Sequence, residues 1–276
     1  MKYANLHLHS TYSDAQLTPE QLVLIGKSLG YRALALTDHE TDGGVKEFAH
    51  FAKREGIETL PGIEFYGDLG KWDLHIVALD YDMDDPTLRA FVKARIEEYN
   101  EYTRRCVEYG TRIGVITEIT WDDVLATSAS GAWICVDSVL NAYRARHIPV
   151  PDELRPAVFR APETLSLRPT HPTAEEVIRV IRKAGGIAIL AHPHSHAHLV
   201  GELVEMGLNG IEVCHPELDE KAAQLASEAA DAYKLYRSGG TDHTGPMSGC
   251  GGELAIPAFH GITEEELATV MARKFG

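Results

Sequence analysis

No stretch of this 276-residue chain approaches the roughly 20 consecutive apolar residues of a membrane span. The opening, MKYANLHLHS, also lacks the apolar core of a secretory signal, so export is not expected. Cysteine is scarce: Cys106, Cys135, Cys214 and Cys250 are scattered without CxxC spacing, which suits free thiols in a reducing cytoplasm. Basic residues are the minority, 26 against 41 acidic, for a formal charge of -15. Such a surface repels a polynucleotide backbone, so a long nucleic acid is not the expected partner. The sequence has no nucleophile elbow, no Ser/His/Asp triad spacing and no glycine-rich phosphate loop opening a helix. Internal repeats and low-complexity segments are missing too.

The residues present describe a globular chain, 44% hydrophobic and 24% charged, long enough for one barrel-sized domain or one domain with an insertion. Near its start, NLHLHSTYSD alternates leucine with histidine. With a strand period of two, His7 and His9 share one face and Leu6 and Leu8 the other. By itself this is either an exposed polar edge or the start of a metal site.

Beyond it, strand and helix alternate. Thr18-Pro19-Glu20-Gln21 supplies a capping threonine, proline at the first helical position and glutamine three residues after the cap, for a helix stopping near Gly30. RALALTDHE is a short buried strand from Arg32 to Thr37, and a second helix ends at Gly56. IETLPGIEF and LHIVALDY are further strands, as are IAILAHP, GIEVCHP and LYRSGGTDH. Thr173 to Glu176 and Thr263 to Glu266 are capping boxes. This order predicts βαβ units and a parallel sheet, open or closed into a barrel. Residues from about 83 to 171 break the rhythm. A long helix from Asp84 to about Gly110, another at ITWDDVL and a helical stretch from Ser130 to Phe159 make a mostly helical insertion.

The polar residues cluster at the ends of the apolar runs: Asp38-His39, Glu64, His192, Glu212 and Asp242-His243. A strand-end Asp or His is commonly a cap or a satisfied core residue. So many on one rim, all His, Asp or Glu, point instead to a metal site, because imidazole and carboxylate suit zinc, manganese and iron.

The ordered set HLHSTYSD, LALTDHE, PGIEF, LHIVALDY, GGIAILAHP, GIEVCHP and GGTDHTG resembles the PHP (polymerase and histidinol phosphatase) phosphoesterases. The resemblance implies an α/β fold: a distorted seven-stranded β/α barrel from residues 1–82 and 172–276, with 83–171 as a helical insertion subdomain. It also implies two or three divalent ions (manganese, iron or zinc) held by His7, His9, Asp14, His39, Glu64, His75, His192 and Asp242, with Glu64 as a bridge. His75 enters only through the resemblance, since it begins its apolar run. Where relatives place a histidine two residues after the last aspartate, this chain has Asp242-His243-Thr244, so His243 is a ligand only if the loop re-aims it. Gly239, Gly240 and Gly245 would permit that turn.

The implied reaction is hydrolysis of a phosphate ester in a small metabolite or nucleotide, with Glu64, His192 and His215 as catalytic residues. His194, His196 and His198 are further candidates for gripping substrate. Ala132-Trp133 stands where relatives carry a phosphate-binding arginine, leaving Arg144, Arg146 and Arg168 as substitutes. Two other classes remain: a non-catalytic metal-binding accessory domain, and a metal-dependent C–N hydrolase.

Overall fold

The computed structural model describes residues 3–242 and 260–272. Seven strands form one sheet in chain order: β1 (Ala4–Asn5), β2 (Ala33–Leu36), β3 (Glu58–Leu69), β4 (Trp72–Leu79), β5 (Ile187–Leu190), β6 (Gly210–Cys214) and β7 (Tyr236–Gly239). The last strand returns to the first. Leu6 N–H donates to the Gly239 carbonyl and Asp242 N–H to the His7 carbonyl, both at 3.0 Å. The Asn5 side chain reinforces this closure, donating to Thr241 Oγ1 at 2.9 Å and accepting from the Thr241 amide at 3.2 Å. Gly240 is what permits the approach: a Cβ there would meet His7 N and Cβ at 2.5 Å. Its role is closeness rather than a left-handed turn, which Asp242 takes instead with φ +48°.

The expected parallel pairing holds for the other strands and is interrupted at β4, which runs antiparallel to both β3 and β5. Only Gly70 and Lys71 separate β3 from β4, and a two-residue connection can join only antiparallel strands. The amino end of β4 therefore lies beside the carboxyl end of β3, with His75 opposite Tyr66. This explains how a histidine at the start of an apolar run reaches the rim.

The strands are buried on both faces. Ala33, Ala35, Ile187 and Ile189 join one cluster inside the barrel, while the alternate residues Leu34 and Leu36 pack outward. Against Leu34 and Leu36 lie Leu22 and Val23 of helix α1 (Pro19–Ser28) and Phe48 and Ala52 of helix α2 (Val45–Glu55). Both helices follow their sequence punctuation. Thr18 and Gln21 form the reciprocal capping box, and α2 ends on Gly56 with φ +71°. The box at Thr263–Glu266 is reciprocal too, whereas Thr173 only accepts from the Glu176 amide.

Helix α3 (Pro86–Arg112) opens the segment between β4 and β5 and is followed by α4 (Trp121–Ala126) and α5 (Val136–Ala145). The helical stretch read from Ser130 to Phe159 is broken after α5. His147 takes φ +55°, and Pro149 and Pro151 each remove an amide donor and restrict the preceding residue. One π-helical turn, Leu154–Phe159, follows. These elements bury a cluster of their own, with Tyr99, Cys106, Val139, Tyr143 and Val158 at its centre.

Candidate metal centre

The strand pattern delivers the predicted polar residues to one place. His7 and His9 share a face just beyond β1, and both are fully buried, which disposes of the exposed-edge reading. Glu64 projects from β3 between them and His39, His75 and His192. Its Oε1 lies 2.9 Å from His75 Nδ1 and 3.1 Å from His192 Nε2. Its Oε2 lies 3.2 Å from His7 Nε2, 3.1 Å from His9 Nε2 and 3.2 Å from His39 Nδ1. Yet Glu64 Oε2 and His39 Nδ1 are buried without any hydrogen-bond partner. Three imidazole nitrogens converge on one carboxylate oxygen at contact distance without the alignment a hydrogen bond needs. His7 and His9 also bring their Nε2 atoms to 3.2 Å of each other. Donor atoms gathered this closely, all nitrogen or carboxylate oxygen, fit a shared divalent cation.

Asp242 closes the cluster from beyond β7, with Oδ1 3.0 Å from His9 Nε2 and 3.6 Å from His7 Nε2. Asp14 faces His9 Nδ1 at 3.5 Å and His39 Nε2 at 3.9 Å. Several overlapping groups have ligand atoms close enough for one ion: His7, His9, Glu64 and Asp242; His9, Asp14 and His39; His39, Glu64 and His75. His243 lies outside the described residues.

Two carboxylates on the rim act differently. Glu212 is fully buried and bonds through both oxygens, Oε1 to His7 Nδ1 at 2.9 Å and Oε2 to the His192 amide at 2.7 Å. It fixes the proton of neutral His7 on Nδ1 and leaves the Nε2 lone pair facing the cluster. Asp38 turns away and accepts from the Ser10 amide (2.7 Å), Ser10 Oγ (2.6 Å) and Ser13 Oγ (2.5 Å), anchoring the loop after His9.

Charges are strongly coupled here. Burial alone would depress His7, but Glu64, Glu212 and Asp242 outweigh it and hold the ring well above its ordinary pKa. His9 is raised in the same way against burial, by Asp14, Asp242 and Glu64. His39 falls well below its usual value, through burial reinforced by His9 and His75. Glu64 sits well below the carboxylate range because His7, His39 and His75 outweigh its burial.

His215 is buried beside the centre. Its Nδ1 accepts the Glu217 amide at 3.2 Å, so the neutral ring carries its proton on Nε2, 3.4 Å from Asp242 Oδ2. His194 is half-exposed and pairs with Glu217 at 2.9 Å. Next to the centre a cleft of about 290 Å³ runs from Asp14 and His39 along Tyr66, Tyr99 and Trp133 to Arg168. Arg155 and Arg160, which the sequence did not single out, line it as well. Arg144 and Arg146 do not: Arg144 donates to Asn141 Oδ1 at 2.9 Å, and Arg146 pairs with Asp123 on the surface. Trp133 occupies the cleft wall with its ring 5.6 Å from that of His39, presenting an aromatic face there rather than a guanidinium.

Residues 5–106 match the model of the PHP domain. Three curated relatives span nearly the whole chain. A phosphoribosyl 1,2-cyclic phosphate 1,2-diphosphodiesterase of Eggerthella lenta is 27% identical over 87% of this chain and 94% of its own. A 3',5'-nucleoside bisphosphate phosphatase of Chromobacterium violaceum is 29% identical over 90% of each. A 5'-3' exoribonuclease of Haemophilus influenzae is 28% identical over 87% of this chain and 89% of its own. A crystal structure from Bifidobacterium adolescentis shares the fold, with a TM-score of 0.82 at 24% identity, covering 99% of this chain and 96% of that one. The PHP-domain match thus spans the first four strands of a seven-stranded barrel whose fold the Bifidobacterium adolescentis structure shares.

Proposed function

We propose that this protein hydrolyses a phosphate ester of a small metabolite or nucleotide, with two or three divalent ions held by His7, His9, Asp14, His39, Glu64, His75, His192 and Asp242. The observation that carries the reading is Glu64 Oε2, buried and unbonded, with three imidazole nitrogens within 3.2 Å. Manganese, iron or zinc bound there would lower the pKa of a water and offset charge on the phosphoryl oxygens.

The chain's own groups account for the rest. Glu212 holds His7 in one tautomer and ties it to the His192 turn. His215 presents its Nε2–H beside Asp242, where it can donate a hydrogen bond to a phosphoryl or leaving-group oxygen. Arg168 stands in the cleft for a phosphate oxygen, with Arg155 and Arg160 near it. Residues 83–171 read as an insertion subdomain whose helices form one wall of that cleft.

Identity alone does not choose a substrate, since the exoribonuclease matches as well as the bisphosphate phosphatase. The cleft's volume is that of a small-ligand site, and the -15 charge opposes a long polynucleotide, so a substrate of about one nucleotide fits best. The same charge and the free thiols suit a cytoplasmic enzyme. Phosphate release from cyclic, mono- and bisphosphorylated nucleotides and from a 5'-phosphorylated oligoribonucleotide tests this choice. Preferential turnover of the oligomer would reverse it. Metal binding without any hydrolysis would favour an accessory domain, and amide cleavage would favour C–N hydrolysis.

A further inference from the structure

One fully buried carboxylate beside the centre, Glu40, has no part in the reading above. It follows His39 directly and holds a left-handed backbone, φ +57°. Its amide donates to the Glu64 carbonyl at 2.8 Å, and its Oε1 accepts the Tyr66 amide at 3.0 Å. Bonds to residues i and i+2 of a neighbour are what a paired strand supplies from its backbone. Here the second comes from a side chain, so Glu40 extends the pairing of β2 with β3 past Leu36. The Glu64 amide, donating to the Asp38 carbonyl at 3.2 Å, completes the clamp. Tyr66, held this way, stacks on His39 with centroids 5.1 Å apart and planes within 10°.

The other oxygen of Glu40 faces out of the barrel. Its Oε2 lies 3.3 Å from Nε of Arg95, a residue of α3 that is itself buried. Arg95 also donates to Glu98 Oε2 at 2.5 Å and to the Thr170 carbonyl at 3.4 Å, and lies 5.3 Å from the centroid of Tyr99 in the cleft wall. A buried ion pair is seldom more stabilising than apolar packing of the same volume, so its retention calls for a role in fixing position.

We infer that Glu40 and Arg95 are positioning residues that hold His39 and Glu64 at the separation needed to share an ion, and that they make this geometry depend on the seating of α3. The inference rests on reading His39 and Glu64 as metal-holding residues. Its test is Mn²⁺ titration of the metal-stripped full chain, as wild type, Glu40→Gln, Arg95→Lys and Arg95→Met. Thermal unfolding and steady-state hydrolysis of p-nitrophenyl phosphate accompany it. Glu40→Gln keeps an oxygen for the Tyr66 amide but removes the charge facing Arg95. It is expected to weaken Mn²⁺ about 10- to 100-fold and to lower kcat while KM stays within about twofold. Arg95→Met should behave alike, and Arg95→Lys should recover part of the affinity. Should Arg95→Met fail to fold, Glu40→Gln and Arg95→Lys decide the matter. Variants that unfold earlier yet bind Mn²⁺ as wild type does would reduce the pair to packing and overturn the inference. A wild-type chain that binds no Mn²⁺ would overturn the metal reading itself, an outcome the titration separates from the first.

Discussion

His7 Nδ1 lies 2.9 Å from Glu212 Oε1, and the other oxygen of the same carboxylate receives the His192 amide at 2.7 Å. Two donors from either side of β6 thus depend on one side chain that touches no open space. In Glu212→Gln a single acceptor oxygen remains, and the amide NH₂ must face one of the two donors. The variant should fold but bind divalent metal about 10- to 100-fold more weakly, measured by competition with a chelating dye. Unchanged affinity would show that His7 needs no such orientation.

Glu64→Gln removes the charge on which five imidazoles converge. Metal content should collapse and hydrolysis should fall about 10³-fold, a loss of the several kcal/mol a metal-centred charge supplies, while circular dichroism stays native. Turnover near the parent level would take Glu64 out of the site.

Protons and metal compete for the same rings. In the metal-free fold His7 and His9 are raised well above 6.5, as their carboxylate neighbours outweigh burial, and His192 is raised by Glu64 against its burial. A raised folded pKa stabilises the fold fully below the unfolded value and loses that contribution as pH rises through the folded one. Metal needs the unprotonated nitrogen. Rising pH above about 6.5 should therefore destabilise the stripped protein and tighten metal binding, on the order of tenfold per pH unit for each proton released. Calorimetry in buffers of different ionisation enthalpy counts those protons, and zero release would contradict the assignment.

Recognition should follow the cleft rather than the outer surface of α5. Arg168→Ala is expected to raise KM for the best phosphorylated substrate about 10- to 100-fold, the loss of one charge-assisted hydrogen bond, whereas Arg146→Ala, paired with Asp123 outside the cleft, should leave kinetics alone. The reverse result would move the substrate to another face.

Much of this was legible because metal-site chemistry uses few residue types at strand ends, and period-two alternation alone puts His7 and His9 on one face. The unbroken apolar run of β2 likewise marked a short buried strand, and the capping threonines set the helix starts. What escaped depends on direction and distance in three dimensions. Apolar patterning does not record strand polarity, so the reversal of β4 and the place of His75 had to come from the Gly70-Lys71 hairpin. Sequence could mark Asp38 and Glu212 as rim carboxylates but not that both serve neighbouring side chains and amides. Glu40 had no pattern to reveal it, since its partners Tyr66 and Arg95 lie 26 and 55 residues away. Proline spacing did carry the break after α5, in the pair Pro149 and Pro151.

Elemental analysis of the purified chain, after metal reconstitution and paired with phosphate release from the same sample, tests the central claim most directly. The convergence of His7, His9, His39, His75 and His192 on Glu64 predicts at least two divalent ions per chain, with hydrolysis that vanishes on chelation and returns on reloading. Less than one ion per chain after reconstitution, or hydrolysis indifferent to chelation, would contradict it.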